Sequence, residues 1–362
     1  MKNRNVVKKS YLNSIYRIKA NSKTRENYLR LDKNEKTTNF HKNIINFLKK
    51  KISSFFITSY PDLGVVYRKL AKYLKVKEQE IVITSGADLA IKNCFELFLK
   101  PKDLIISTCP TFAMVDIYSK LFQIKQEKIY YEKNLTLNLS KFRDKITSKV
   151  KMIIISNPNN PTGTIIKKED LINLVKKAEK LNIPFVIDEV YHGFTDDTLI
   201  NLINKYKNLV IIRTFSKSFG IAGLRAGYIV SNSKIAQSLF KFKPMYEINS
   251  IAALIINFFL ENKKYIKKNL DEINLGKKYL INKFQNNKLI FIDTHTNFIH
   301  IKTKNKKFSH EMFNYLFRNK ILVRKGGPGI QGYEDYLRIT LGDKNQMKKL
   351  FNFLIKKRSL LQ

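Results

Sequence analysis

The sequence predicts an α/β protein, with a mostly parallel central sheet in a large domain and a smaller α+β domain after it. Three observations predict it. Short runs rich in Ile and Val alternate with helical patterns between residues 81 and 230, as strands and crossover helices do in a parallel sheet. The pattern changes near residue 251 to a long helical run and then mixed strands and helices. The chain's 362 residues also exceed one ordinary domain.

Taken in order, residues 1–30 read as an N-terminal arm. The stretch over 1–23 is basic and lacks the continuous apolar core of a secretory signal. The large domain is expected over 31–250, with strands at 81–84, 104–107, 152–155, 184–187, 209–213 and 226–230. Helices fill 88–99 and 167–181. The last two strands lie too close for a helical crossover, so one of them should run in reverse. The small domain is expected over 251–362, with a helical run at 251–286 and strands at 289–291, 298–302 and 337–341. Helices at 309–319 and 344–356 flank those strands. The apolar run 251–260 is interrupted by Asn257 and is too short to span a bilayer.

Composition narrows the function classes. Hydrophobic residues at 44% and charged residues at 27% are ordinary globular usage, which excludes disorder. Lys and Arg total 68 against 29 acidic residues, a formal charge of +39. The lysines are spread over nearly every segment rather than gathered on a face or tail, so no nucleic-acid partner is inferred. Such a field attracts small anions. Cys94 and Cys109 are the only cysteines, which suits a reducing compartment, and a cytoplasmic location is expected. No Cys/His set has metal-ligand spacing, so no metal is expected.

Ligands of an open parallel sheet bind beyond the carboxyl ends of its strands. Five expected strands end in polar, turn-rich sets. The first is Ser85-Gly86-Ala87-Asp88 and the second Pro110-Thr111-Phe112. The third runs Asn157-Pro158-Asn159-Asn160-Pro161-Thr162-Gly163, and the fourth is Asp188-Glu189-Val190-Tyr191. The fifth is Thr214-Phe215-Ser216-Lys217, with Gly223-Leu224-Arg225 close behind. Small residues opening a helix offer free N–H groups to a phosphate. Ser216 and Arg225 add a hydroxyl and a guanidinium. Phe112 can stack on a flat ring, and Asp188 can hold a proton on a ring nitrogen. Lys217 beside other cations is a candidate amine nucleophile. A phosphate, a flat ring, a protonated ring nitrogen and a reactive lysine together describe pyridoxal 5′-phosphate.

These motifs, from Leu31-Asp32-Lys33-Asn34-Glu35 to Leu337-Arg338-Ile339-Thr340, resemble the fold-type I pyridoxal-phosphate aminotransferases of classes I and II. Within them the histidinol-phosphate aminotransferase group is most similar. The resemblance implies that Lys217 holds the cofactor covalently and moves the substrate proton, and that Asp188 meets the pyridine nitrogen. It implies that Asn160 and Tyr191 bond the ring hydroxyl oxygen and that Phe112 stacks on the ring. Ala87, Asp88, Ser216 and Arg225 match the phosphate cup. Tyr60, in Ser59-Tyr60-Pro61-Asp62, matches a tyrosine reaching the phosphate from a neighbouring subunit, which implies a homodimer. Arg338 matches the arginine that takes the substrate carboxylate, Arg324 a second arginine near the substrate, and Asn34 a segment folded over the site. The implied activity moves an amino group from a donor, glutamate first, to a small phosphorylated keto or aldehyde acceptor. A pyridoxal-phosphate decarboxylase of phosphorylated threonine or serine is the alternative. The chain departs from the family at Asn34-Glu35-Lys36-Thr37, usually Asn-Glu-Asn-Pro, and across residues 243–249.

Overall fold

The computed structural model describes residues 11–12, 15, 25–327 and 329–361. Most of the arm expected over residues 1–30 lies outside the described residues. The strands are β1 (Leu29–Arg30), β2 (Ile81–Thr84), β3 (Leu104–Cys109), β4 (Lys125–Tyr130), β5 (Val150–Ser156), β6 (Phe185–Asp188), β7 (Leu209–Thr214) and β8 (Gly227–Ser231). They continue as β9 (Phe291–Ile292), β10 (Phe298–Lys302), β11 (Ile321–Leu322), β12 (Arg324–Lys325) and β13 (Tyr336–Thr340).

Seven strands make the central sheet in the order β2-β8-β7-β6-β5-β3-β4. All its pairings are parallel except those of β8, which is antiparallel to both β2 and β7 and is the reversed strand expected. The strands read as continuous apolar runs because both faces are covered. Ile83, Ile153, Ile155, Ile187 and Ile211 enter one core, with Val66 and Leu174 from helices on that side. Val82, Ile154, Val186, Val210 and Ile229 enter the other, under the helices carrying Ala90, Val115 and Leu239. The period-2 alternation of side chains sends neighbouring residues to opposite faces.

A second sheet, β12-β13-β10-β9, is antiparallel. Ile299, Ile301, Leu337 and Ile339 pack there against Leu280, Leu316 and Leu350. The long Lys264–Asn286 helix passes this unit so closely that a Cβ at Gly276 would lie 2.0 Å from the carbonyl oxygen of Gly342. Strand β1 pairs in parallel with β11, which carries the segment after it, with Leu31, into this second core.

Two expectations need correction. Strand β4 was not predicted, because Lys125-Gln126-Glu127-Lys128 is polar. It is an edge strand paired only with β3, so polar residues cost it little. The helical run expected over 251–286 is two helices, Ser250–Glu261 and Lys264–Asn286, broken where the Asn262 side chain donates to the Phe258 carbonyl at 2.9 Å. Ala252, Ile255 and Phe259 of the first of these helices pack into the central-sheet core, and Ile273 of the second packs with Leu31 into the other. Among the described residues no helix is long and apolar enough to cross a membrane.

Candidate active site

The carboxyl ends of β2, β3, β5, β6 and β7 share one edge of the sheet, so five separated sequence segments meet there. Ala87, Asp88, Phe112, Asn160, Asp188, Tyr191, Ser216, Lys217 and Arg225 all line one cavity of about 420 Å³. Tyr60 does not. It is 76% exposed and stacks on Tyr246, with centroids 4.1 Å apart.

At one end of this cavity the Gly86–Phe98 helix begins without a side-chain cap, leaving its first amides unspent. Gly86 has φ +80°, and a Cβ there would lie 2.7 Å from Arg225 Nη2. Glycine thus lets the guanidinium lie against the helix start. Arg225 is itself left-handed at φ 49°, a conformation a non-glycine residue keeps only when its surroundings hold it. Its Nη1 donates to the Ala222 carbonyl at 3.2 Å and its Nη2 to the Asp88 carboxylate at 3.4 Å. Ser216 Oγ accepts from Thr214 Oγ1 at 3.0 Å, which leaves its own hydrogen to donate. Unspent amides, a hydroxyl and a guanidinium form a donor set that fits a phosphate.

Asp188 sits deeper, buried at the end of β6. It accepts from Ser156 Oγ at 3.2 Å and from the Val190 N–H at 3.1 Å. Burial pushes its carboxyl up to about 7, so a cationic partner is what the position lacks. A protonated ring nitrogen meets that need. Lys217 Nζ donates to the carbonyls of Asn34 at 3.0 Å and Lys33 at 3.3 Å, and lies 5.8 Å from the centre of the Tyr191 ring. Burial first, and the Arg338 charge second, bring its amine down to about 8. Tyr191 is buried, its hydroxyl accepts from Asn34 Nδ2 at 2.8 Å, and burial pushes it up to about 12.

A second cavity of about 680 Å³ adjoins the first and shares Lys33, Phe112, Asn160 and Lys217 with it. Asn34, Arg324 and Arg338 line it. Arg338 on β13 faces Arg324 on β12 in register. Its Nη1 donates to Asn160 Oδ1 at 2.8 Å and its Nη2 to the Asp32 carbonyl at 3.1 Å, while the Phe298 ring lies 5.2 Å from its Cζ. Its Nε is buried without a hydrogen-bond partner among the described residues. None of these neighbours is an anion, and the Asp32 carboxylate is taken by Arg25. Asn34 is fixed at φ 55° by Thr340 Oγ1, which accepts from its N–H at 2.9 Å and donates to its Oδ1 at 3.0 Å.

Sequence reading missed Ser156 and Phe298, which hold Asp188 and Arg338 in place, and quoted Thr214 in the fifth set without giving it the role of holding Ser216. Ser156 is the last residue of a strand whose following turn was singled out, which is the signal that was there to find. Phe298 offered none.

Comparison with known proteins converges on the same chemistry. The aminotransferase class I and II family model matches residues 26–354. A histidinol-phosphate aminotransferase of Clostridium novyi (strain NT) is 30% identical over 328 residues, covering 90% of each chain. The crystal structure of the histidinol-phosphate aminotransferase from Clostridium acetobutylicum superposes with a TM-score of 0.79 at 26% identity, over 90% of this chain and 98% of that one. Another, from Sinorhizobium meliloti in complex with pyridoxal-5′-phosphate, shares the fold at a TM-score of 0.81 and 19% identity, over 89% of each.

Proposed function

The chain belongs to the aminotransferase class I and II family, and from that premise we propose that it transfers an amino group from glutamate to a small phosphorylated keto or aldehyde acceptor. The cofactor is pyridoxal 5′-phosphate. The observation that carries the substrate reading is the Arg338–Arg324 pair, two guanidiniums in register beside Lys217 with no carboxylate on Arg338 among the described residues. Two such cations suit a substrate with a carboxylate and a further anionic group.

The cofactor, when bound, supplies an aldehyde that condenses with amines and a ring that draws electrons from the breaking bond. The uncapped amides at Ala87 and Asp88, with Ser216 and Arg225, bind its phosphate. Asp188 would accept a hydrogen bond from its protonated ring nitrogen, Phe112 would stack on its face, and Asn160 and Tyr191 would bond its ring oxygen. Arg338 orients the substrate carboxylate. Lys217, with an amine near 8, both takes the proton from the substrate Cα and returns it. Asn34 belongs to the segment that folds over the site. Tyr60, exposed and outside its own chain's cavity, fits a role in the site of a second copy, and the enzyme works as a homodimer.

One experiment tests the reading. Purified protein with pyridoxal phosphate is scanned for absorbance before and after excess L-glutamate. Conversion of the yellow form to the amine form is expected, and Lys217→Ala should lose both the yellow band and the conversion. A band that glutamate leaves unchanged sinks the glutamate assignment. Release of CO₂ from a phosphorylated amino acid would sink transamination itself.

A further inference from the structure

Lys36 takes no part in the site described so far, yet it touches one end of the turn that carries Lys217 and reaches the other through Asn269. Its side chain is only 8% exposed. Its stem lies on Gly220, where a Cβ would come within 2.8 Å of Lys36 Cδ and 3.1 Å of its Cβ. Its Nζ donates to Asn269 Oδ1 at 2.7 Å and pairs with Glu272 Oε2 at 3.4 Å. Asn269 is buried on the long helix, and its Nδ2 donates to the Ser218 carbonyl at 2.8 Å. The Gly220 N–H closes the turn onto the Lys217 carbonyl at 3.1 Å. On the other side, the chain just before Lys36 presents the Lys33 and Asn34 carbonyls that accept from the Lys217 amine.

We infer that Lys36 is a positioning residue: through Gly220 and Asn269 it clamps the roof segment 33–36 onto the Lys217–Gly220 turn, and so sets the solvation and hydrogen bonding of the reactive amine. A buried ammonium is kept only where it has partners, and here those partners are the long helix and the Lys217 turn. The neutral, shorter side chains that could cap a turn locally would not reach Asn269. The inference rests on the reading of Lys217 as the reactive amine.

The test is made on protein freed of cofactor. Acylation of Lys217 by an amine-reactive ester is followed by mass spectrometry as a function of pH. In the wild type its midpoint should lie near 8. In Lys36→Met, which keeps the stem and loses the head, the roof loosens and water reaches the amine, so the midpoint should rise by about one pH unit toward that of an ordinary lysine. Lys36→Arg should restore it. The charged groups that face Lys217, namely Arg338, Glu35, Asp88 and Arg225, are untouched by these variants, as are Asp188 and Tyr191. If Lys36→Met does not fold, Glu272→Gln removes only the half-buried counter-charge and should move the midpoint the same way by less. A fall in melting temperature with an unmoved Lys217 midpoint, in whichever variant folds, overturns the inference and leaves Lys36 merely structural. An ordinary lysine midpoint in the wild type overturns instead the reading of Lys217 on which it rests.

Discussion

Arg213 on the central sheet and Arg338 on the C-terminal sheet show two ways of holding a guanidinium in the fold, the first buried and the second half-buried at a cavity wall. Arg213 is 4% exposed and holds Glu189, itself 3% exposed, through Nε at 3.0 Å and Nη2 at 2.8 Å, with Thr198 Oγ1 at 2.7 Å completing the set. Arg338 receives only a side-chain amide oxygen, a backbone carbonyl and an aromatic face. The first cation is neutralised by the fold. The second is held in place by neutral acceptors and has no anion paired with it among the described residues. Packing alone gives no reason for that expense, whereas an anionic substrate does.

The comparison is sharpest when each arginine is removed. Arg213→Met leaves the Glu189 carboxylate buried and unpaired, and should cost about 3–5 kcal/mol in denaturant unfolding. Arg338→Met strands no charge. It should change stability by no more than about 1 kcal/mol, yet lower kcat/KM for the amino donor about 100-fold, mostly through KM. Equal losses of stability in the two variants would break the comparison. The smallest effect concerns Asp188, the same situation in the opposite sign: a buried carboxyl with two donors and no ion pair among the described residues. Its proton is held to about 7 in the fold against 3.8 in the open chain, so between those values the folded state binds more protons. Stability of protein freed of cofactor should therefore fall as pH rises through that window, by about 2 kcal/mol from pH 5 to 7. Asp188→Asn should flatten that slope, as should bound cofactor. A wild-type slope of the opposite sign would show that Asp188 is already paired.

What the sequence revealed and what it hid follow from the same physics. Strands β5, β6 and β7 are buried on both faces, so they appear as unbroken apolar runs, and the turns after them stand out as polar islands. That is why Asn160, Asp188 and Lys217 were legible. Strand β4 was not, because an edge strand carries Lys and Glu like any loop. Lys36 was visible only as a departure from a motif. Its meaning depends on Asn269, more than two hundred residues along the chain, and no local pattern announces a contact of that range. The same holds for Phe298 beneath Arg338.

Strand β8 lies between β2 and the rest of the central sheet, and β2 has no other partner in it. A ribosome makes residues 81–84 early and residues 227–231 late, so β2 waits unpaired while the whole of β3 to β7 is laid down. The Gly86–Phe98 helix, whose first amides bind the phosphate in our reading, packs on β7 as well as on β8. A chain cut short between residues 217 and 227 would therefore carry Lys217 and the helix start but lack the strand that joins β2 to the rest of the sheet.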